Sequence, residues 1–142
     1  MRKILVLVDG SENAKRALKQ AKYMADLTGG SVTILCVCDI KAAKSFLNFS
    51  PEKTIDLQVQ MVENTERILE LAKDELKALG DRVSTAIIEG NPAEEIINYS
   101  KIGDFDLAVI GAYGNSGFTA NLLGTIARKV ITAIDIPILV VH

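Results

Sequence analysis

The chain has 142 residues, enough for one domain that buries ~70% of the surface its unfolded form would expose. Hydrophobic residues make up 49% and charged residues 24% of it, a composition that is ordinary for a globular protein and excludes extensive disorder. The formal net charge of −2 gives no electrostatic reason to expect nucleic acid or an acidic membrane as a partner. Apolar runs fall well short of the ~20 residues of a membrane helix, and the run Ile4 to Val8 is too short for a signal-peptide core, so a cytosolic location is expected.

The first strand and helix have clear boundaries. Lys3 to Val8 is a solid apolar run, typical of a strand buried on both faces of a parallel sheet. It ends at Asp9-Gly10, and Ser11 is a favourable N-cap for the helix that follows. That helix closes at Gly29-Gly30. Its predicted inward face repeats every three or four residues and consists of Ala14, Ala17, Leu18, Ala21, Ala25 and Thr28.

The second predicted strand, Ser31 to Cys38, contains both cysteines of the chain. Cys36 and Cys38 are two apart, so on a strand they point to the same face and cannot easily form a disulfide with each other. The single histidine is His142, so a metal site would lack further soft ligands. The pattern therefore favours core thiols, and the segment Lys41 to Pro51 that follows is irregular.

The second half of the chain continues the alternation of helices and strands. A long helix is predicted from Glu52 to Leu79, stopped by Gly80, with Val62, Thr65, Leu69, Ala72, Leu76 and Leu79 facing inward. The remaining predicted elements are a strand at Arg82–Glu89, a helix capped by Asn91 with Pro92 in its first turn, a strand at Asp106–Ile110, a helix at Thr125–Ile134 with Thr125 as N-cap, and a strand at Ile138–Val141.

This order of elements predicts an α/β fold with a parallel sheet and right-handed crossovers. Ligands bind to such sheets beyond the carboxyl ends of the strands, which directs attention to the stretch after the fourth strand. Four glycines fall between Gly111 and Gly124, where the backbone can come close to a ligand, and a helix N-terminus near Thr125 can receive an anion. A ligand-free glycine-rich connection explains the glycine content equally well. Walker and G-x-G-x-x-G spacings are missing, and one histidine leaves no basis for a Ser-His-Asp triad.

The spacing of three of these glycines is more specific. Gly111-x-x-Gly114, nine residues and then Gly124-Thr125 resembles the G-2x-G-9x-G-[S/T] ATP motif of the universal stress protein family. Further agreement with that family is found at Ser116-Gly117, Leu122-Leu123, Asp9-Gly10-Ser11, Ala17-Leu18, Gly90-Asn91-Pro92 and Ile136 to Val141.

The resemblance implies a single domain over residues 1–142, a Rossmann-like open parallel five-stranded sheet of strand order 3-2-1-4-5 with helices on both faces. It implies ATP, bound with Mg²⁺, as the cofactor and a homodimer formed through Ile138–Val141, an apolar edge that needs cover. The residues it assigns to the nucleotide are Leu7, Val37 and Ile110 beside the adenine, Asp9 at the ribose or at a metal-bound phosphate, Gly111 and Gly114 at the ribose and α-phosphate, Ser116 and Gly117 in the same loop, and Gly124, Thr125 and the N–H of Ile126 at the terminal phosphates.

Three functions remain open on the sequence. The leading hypothesis is an ATP-binding universal stress protein with a regulatory or stress-response role as a dimer. A slow ATPase or nucleotidyl-transfer enzyme is the first alternative. Hydrolysis needs a base or a group that orients water, together with cations for the transition state, but the loop has no lysine or arginine from Gly111 to Ala127, and only Asp9 offers a carboxylate at a strand end. A dimeric scaffold that binds no nucleotide is the second. Asp9 also has a plain structural interpretation, as a residue that ends the first strand and caps the first helix.

Overall fold

The structure is a computed structural model that describes residues 2–41, 51–113 and 123–142, with only the backbone of residues 51–54. The strands are β1 (Lys3–Leu7), β2 (Ser31–Cys38), β3 (Val83–Glu89), β4 (Leu107–Gly111) and β5 (Ile138–Val141). The helices are α1 (Glu12–Thr28), α2 (Pro51–Glu75), α3 (Pro92–Ile102) and α4 (Thr125–Ala133), and a 3-10 segment (Lys77–Arg82) follows α2. The segment predicted to be irregular, Lys41 to Pro51, lies outside the described residues at positions 42–50.

The strands form one parallel sheet in the order β3-β2-β1-β4-β5, which confirms the fold class and the strand order implied by the family resemblance. β1 pairs with β2 on one side and with β4 on the other, so the order of connection reverses between β1 and β4. This reversal leaves an opening beyond the carboxyl ends of these two strands, the place where open α/β sheets bind ligands.

The alternation of side chains along β1 explains why its sequence is apolar throughout. Ile4 and Val6 belong to a core cluster with α1 and α2 on one face of the sheet. Leu5 and Leu7 belong to a second cluster with α3 and α4 on the other face. Both faces are therefore covered by helices, as a strand without polar alternation requires.

Two predicted inward positions are wrong. Thr28 is exposed at the end of α1, where its hydroxyl donates to the carbonyl of Met24 at 2.8 Å. Val62 of α2 is 38% exposed, and burial along this helix begins at Thr65 among the described side chains. The predicted end of the long helix at Leu79 is also wrong, because α2 stops at Glu75 and the 3-10 segment follows.

None of the helices in the described part of the chain combines the length and the apolar composition of a membrane-spanning segment.

Candidate functional site

A cavity of about 340 Å³ opens beyond the carboxyl ends of β1 and β4, a size within the range of small-molecule sites. It brings together seven residues that the sequence predicts for a nucleotide, namely Leu7, Asp9, Ile110, Gly111, Gly124, Thr125 and Ile126. Five further residues among those that the structure describes line the cavity and were not predicted to bind a ligand, namely Ala14, Pro92, Ala112, Tyr113 and Ala127.

Four further predicted residues are not brought to this cavity by the structure. Val37 packs beside the second core cluster and is missing from the described residues that line the cavity. Gly114, Ser116 and Gly117 lie outside the described residues. The roles of all four therefore stay predictions.

The inner wall of the cavity is apolar. Leu7 and Ile110 are 9% and 1% exposed, and they come from the two strands between which the sheet order reverses. Ala127 on α4 is also buried and adds a small side chain on the same side. Such a wall can cover a flat heterocycle without leaving buried polar groups unpaired.

The turn between β1 and α1 is held by its own side chains. The Asp9 carboxylate accepts a hydrogen bond from the backbone N–H of Ser11 at 2.9 Å. The Ser11 hydroxyl accepts one from the N–H of Ala14 at 3.1 Å, which confirms Ser11 as the N-cap of α1. One N–H group of the first turn of α1, that of Ala14, is thus bonded to the cap, which makes this helix start less open to an external anion than one without a side-chain cap.

The first residues after β4 are also fixed within the protein. The N–H of Ala112 donates to the carbonyl of Val141 at 2.7 Å, and the N–H of Gly124 donates to the carbonyl of Ala112 at 2.8 Å. The N–H of Tyr113 donates to the side-chain oxygen of Asn13 at 3.0 Å. These three amides are therefore engaged in building the loop.

Gly111 packs closely against α1. A Cβ atom at this position would lie 3.0 Å from the Cβ atom of Asn13 and 3.1 Å from its carbonyl carbon. The predicted close approach of the chain at Gly111 is therefore an approach to a helix, and this explains the glycine whether or not a ligand is bound.

The start of α4 differs from the start of α1. Gly124 is its N-cap, with φ −64° and ψ 162°, and as a glycine it has no side chain to cap the first turn. Thr125 was predicted as the cap, and this is wrong, because it is the first helical residue. The first helical bond runs from the N–H of Arg128 to the carbonyl of Gly124 at 3.0 Å, so the N–H groups of Thr125, Ile126 and Ala127 precede it and have no partner within the helix.

All three residues of this first turn line the cavity. The positive end of the helix dipole therefore lies at the cavity, together with three residues whose N–H groups have no partner within the helix, an arrangement suited to phosphate oxygens. Arg128 supplies a cation nearby, since its guanidinium donates to the carbonyl of Leu123 at 3.2 Å, just before the helix.

Burial raises the pKa of the Cys36 thiol to about 12, and the nearby Asp9 carboxylate and Cys38 act in the same direction. The thiol therefore stays protonated at neutral pH and is unsuited to act as a nucleophile or metal ligand. Within the described ranges, no three His, Cys, Asp or Glu side chains are grouped as a metal site.

A second cavity of about 500 Å³ lies between α1 and α2 and shares Asp9 and Ala14 with the first. Its volume is larger, but it lies over the start of α1, whose amides Ser11 and Ala14 are bonded to Asp9 and Ser11 as described above. The rest of its wall consists of helix side chains, several of them charged. The first cavity is the better candidate because the groups at its rim are placed to bind an anion.

An open parallel sheet with a cavity at the reversal of strand order and a helix N-terminus on its rim defines a doubly wound α/β protein of the Rossmann-like class. Within that class, residues 1–142 match the model of the universal stress protein family. The chain belongs to this family.

Individual relatives agree with this assignment. Universal stress protein YxiE of Bacillus subtilis is 31% identical over 145 residues, covering 99% of this chain and 98% of the relative. Universal stress protein MJ0577 of Methanocaldococcus jannaschii is 31% identical over 152 residues, and its solved structure matches with a TM-score of 0.82 over 99% of this chain and 94% of that one. A universal stress protein solved in complex with cAMP matches with a TM-score of 0.74 over 99% and 97% of the two chains, and at 23% identity this likeness shows the fold.

Proposed function

We propose that this protein binds ATP, with Mg²⁺, in the cavity beyond β1 and β4 and acts as a regulatory protein of the stress response. The observation that carries the proposal is the uncapped first turn of α4, whose N–H groups meet an apolar-walled cavity at the reversal of strand order. One structural neighbour was solved with cAMP, which makes an adenine nucleotide the first class of ligand to test. The proposal treats residues 1–142 as one nucleotide-binding domain that works in the cytosol.

The two halves of the cavity suit the two halves of the nucleotide. Leu7 and Ile110 would flank the adenine, with Val37 as a further predicted contact. Thr125 and Ile126 would bind the terminal phosphates through their backbone N–H groups. Gly124 would lie beside those phosphates, since its own N–H is bonded to the carbonyl of Ala112. The ribose and the α-phosphate would lie close to the loop after β4, as the resemblance to the family implies. The predicted residues of this loop are Gly111, Gly114, Ser116 and Gly117.

Asp9 is the residue that we propose for the ribose hydroxyls or for the cation. Its carboxylate lines the cavity, and one oxygen accepts from the N–H of Ser11, which fixes its orientation. Mg²⁺ is usually held by one or two carboxylates together with the phosphates of the substrate, and a single carboxylate at this position fits that pattern. A bound cation would neutralise the part of the negative charge of the triphosphate that a single arginine, Arg128, cannot neutralise.

The expected affinity follows from the size of the ligand. ATP has about thirty non-hydrogen atoms, and at roughly −0.3 kcal/mol per atom its binding free energy is near −9 kcal/mol, a dissociation constant around micromolar. Ordinary cellular ATP would then keep the site filled, and the nucleotide would stabilise the folded state.

The deciding experiment is to release the contents of the purified protein with acid, identify any nucleotide, and titrate the emptied protein with ATP and MgCl₂ by isothermal calorimetry. A stoichiometric adenine nucleotide and a micromolar dissociation constant support the proposal. Failure of the emptied, folded protein to bind any adenine nucleotide would leave the nucleotide-free scaffold as the better function. Steady release of ADP during incubation with ATP would instead favour the slow ATPase.

The homodimer is part of the same proposal. β5 is an edge strand of the sheet, and its four residues, Ile138–Val141, are apolar and only partly buried. Edge strands of this kind are usually covered, and a second copy of the chain would cover this one symmetrically. Sedimentation velocity over a range of concentrations should show a dimer, and a monomer at every concentration would contradict this part of the proposal.

A further inference from the structure

Three polar side chains are buried in the described part of the chain, namely Asn13, Thr65 and Ser100. The hydroxyls of Thr65 and Ser100 donate to carbonyl oxygens of their own helices, at 2.8 and 2.7 Å. Asn13 is different, because its side-chain oxygen accepts from the N–H of Tyr113, a residue 100 positions away along the chain. A buried long-range hydrogen bond of this kind fixes two segments relative to each other.

Asn13 meets the loop after β4 through its backbone as well as through its side chain. Its Cβ atom and its carbonyl carbon are the atoms nearest to the position that a Cβ atom would take at Gly111. The side-chain oxygen then holds Tyr113, two residues further on, and between them the N–H of Ala112 is bonded to Val141. Three consecutive residues are thus tied to the first turn of α1 and to β5.

We propose that Asn13 is a positioning residue for the candidate nucleotide site. Tyr113 lines the same cavity as the first turn of α4, so the hydrogen bond to Asn13 fixes the position of this part of the cavity wall. Because the N–H groups of Ala112 and Tyr113 are engaged within the protein, phosphate oxygens are directed to the start of α4. The inference rests on the proposed function for the identity of the ligand, but the anchoring itself can be measured without any ligand.

The test compares Asn13→Ala with Asn13→Asp and uses Ser100→Ala as the matched control. Asn13→Ala removes the acceptor, Asn13→Asp keeps an acceptor at the same reach, and Ser100→Ala removes a buried hydrogen bond that is local to α3. Amide hydrogen exchange at Tyr113 is measured by NMR on each protein. Titration with adenosine and with ATP follows, because adenosine has no charge that the aspartate variant would repel.

We expect Asn13→Ala to raise the exchange rate at Tyr113 and to weaken adenosine and ATP binding about fivefold, the equivalent of one hydrogen bond. Asn13→Asp should restore slow exchange and adenosine binding, and Ser100→Ala should leave both unchanged. Should Asn13→Ala not fold, Asn13→Ser serves in its place, since its hydroxyl is one bond shorter and does not reach Tyr113.

Two results would overturn the inference. Unchanged exchange at Tyr113 in the alanine or serine variant would show that Asn13 does not hold the loop. Equal effects of Ser100→Ala and Asn13→Ala on binding would show a general loss of stability in place of positioning. If the wild-type protein binds neither adenosine nor ATP, the proposed function fails, and the exchange rate at Tyr113 still decides whether Asn13 anchors the loop.

Discussion

Replacing Thr125 with proline would separate the role of α4 in the fold from its role in the site. Thr125 is the first residue of the helix, and the first helical hydrogen bond begins only at Arg128. Proline is favoured at this position because its fixed φ suits the helix and the N–H that it lacks is not used there. The preceding Gly124 has φ −64° and ψ 162°, an extended conformation close to the one that a following proline favours. The variant should therefore fold normally and lose one donor at the rim of the cavity.

The size of the effect can be estimated from the lost donor. A hydrogen bond to a charged group contributes about 1.5–3 kcal/mol, and every 1.4 kcal/mol is a factor of ten in affinity. The Thr125→Pro variant should thus bind ATP about 10- to 150-fold more weakly than the wild type. Its free energy of unfolding should be unchanged or higher by up to about 1 kcal/mol, because proline restricts the unfolded chain.

Isothermal calorimetry with ATP and MgCl₂ measures the first quantity, and thermal unfolding of the nucleotide-free protein measures the second. Thr125→Ala is the control, since it keeps the N–H and removes only the hydroxyl. Wild-type affinity in a folded Thr125→Pro protein would refute the reasoning, because the backbone donor at this position would then not contact the nucleotide. An equal loss in both variants would assign the effect to the hydroxyl.

Three further predictions concern the fold around the site. Gly111→Ala should lower the free energy of unfolding in urea by about 1–3 kcal/mol, because its Cβ would lie 3.0 Å from that of Asn13, whereas a gain in stability would show that the space is open. Cys36, with a pKa of about 12, should be almost entirely protonated at pH 8 and react with a disulfide reagent only after unfolding, so rapid labelling of the native protein would contradict its burial. The backbone N–H groups of Arg2 and Lys3 lower the pKa of Asp106 below the usual value of an aspartate. Its carboxylate therefore stabilises the fold above that usual pKa, and this contribution disappears as the pH falls through the lower, folded-state pKa. The Asp106→Asn variant should therefore be less stable than the wild type at pH 7, and its free energy of unfolding should change less as the pH is lowered. An acid unfolding curve of the same shape as that of the wild type would argue against these hydrogen bonds.

The layers of the fold could be predicted from the sequence because the apolar pattern of a strand indicates whether one or both of its faces are buried. β1 is apolar at every position from Ile4 to Leu7, and the structure covers both of its faces with helices. Periodicity was less informative about where a helix leaves the sheet. Val62 keeps the spacing of the buried residues in α2. Even so, none of the described side chains of α2 that precede Thr65 is buried. The order of the strands was implied by the resemblance to the family, since the periodicity of apolar residues does not indicate which strands pair.

The glycine spacing pointed to the strand end and the helix start that border the cavity, but it could not assign a cause to each glycine. Gly111 is explained by contact with α1, and the partners that engage the loop, Asn13 and Val141, are distant in sequence. Such partners become visible only when the fold brings them together. A polar residue such as Asn13 on the inward face of a helix was the one local sign of this contact.

Two helices that begin at the same edge of the sheet show why the anion site should lie at one of them. At α1, Ser11 is the N-cap and its hydroxyl bonds the N–H of Ala14, as the usual preference for a hydroxyl cap predicts. At α4 the same preference pointed to Thr125, but the structure has Gly124 as the cap, and glycine has no side chain to bond the first turn. An N-cap without a side chain contributes less to the stability of a helix, and it does not itself bond the N–H groups of the first turn. Under the proposed function, the glycine at position 124 is therefore the local feature that would favour phosphate binding at α4 over α1.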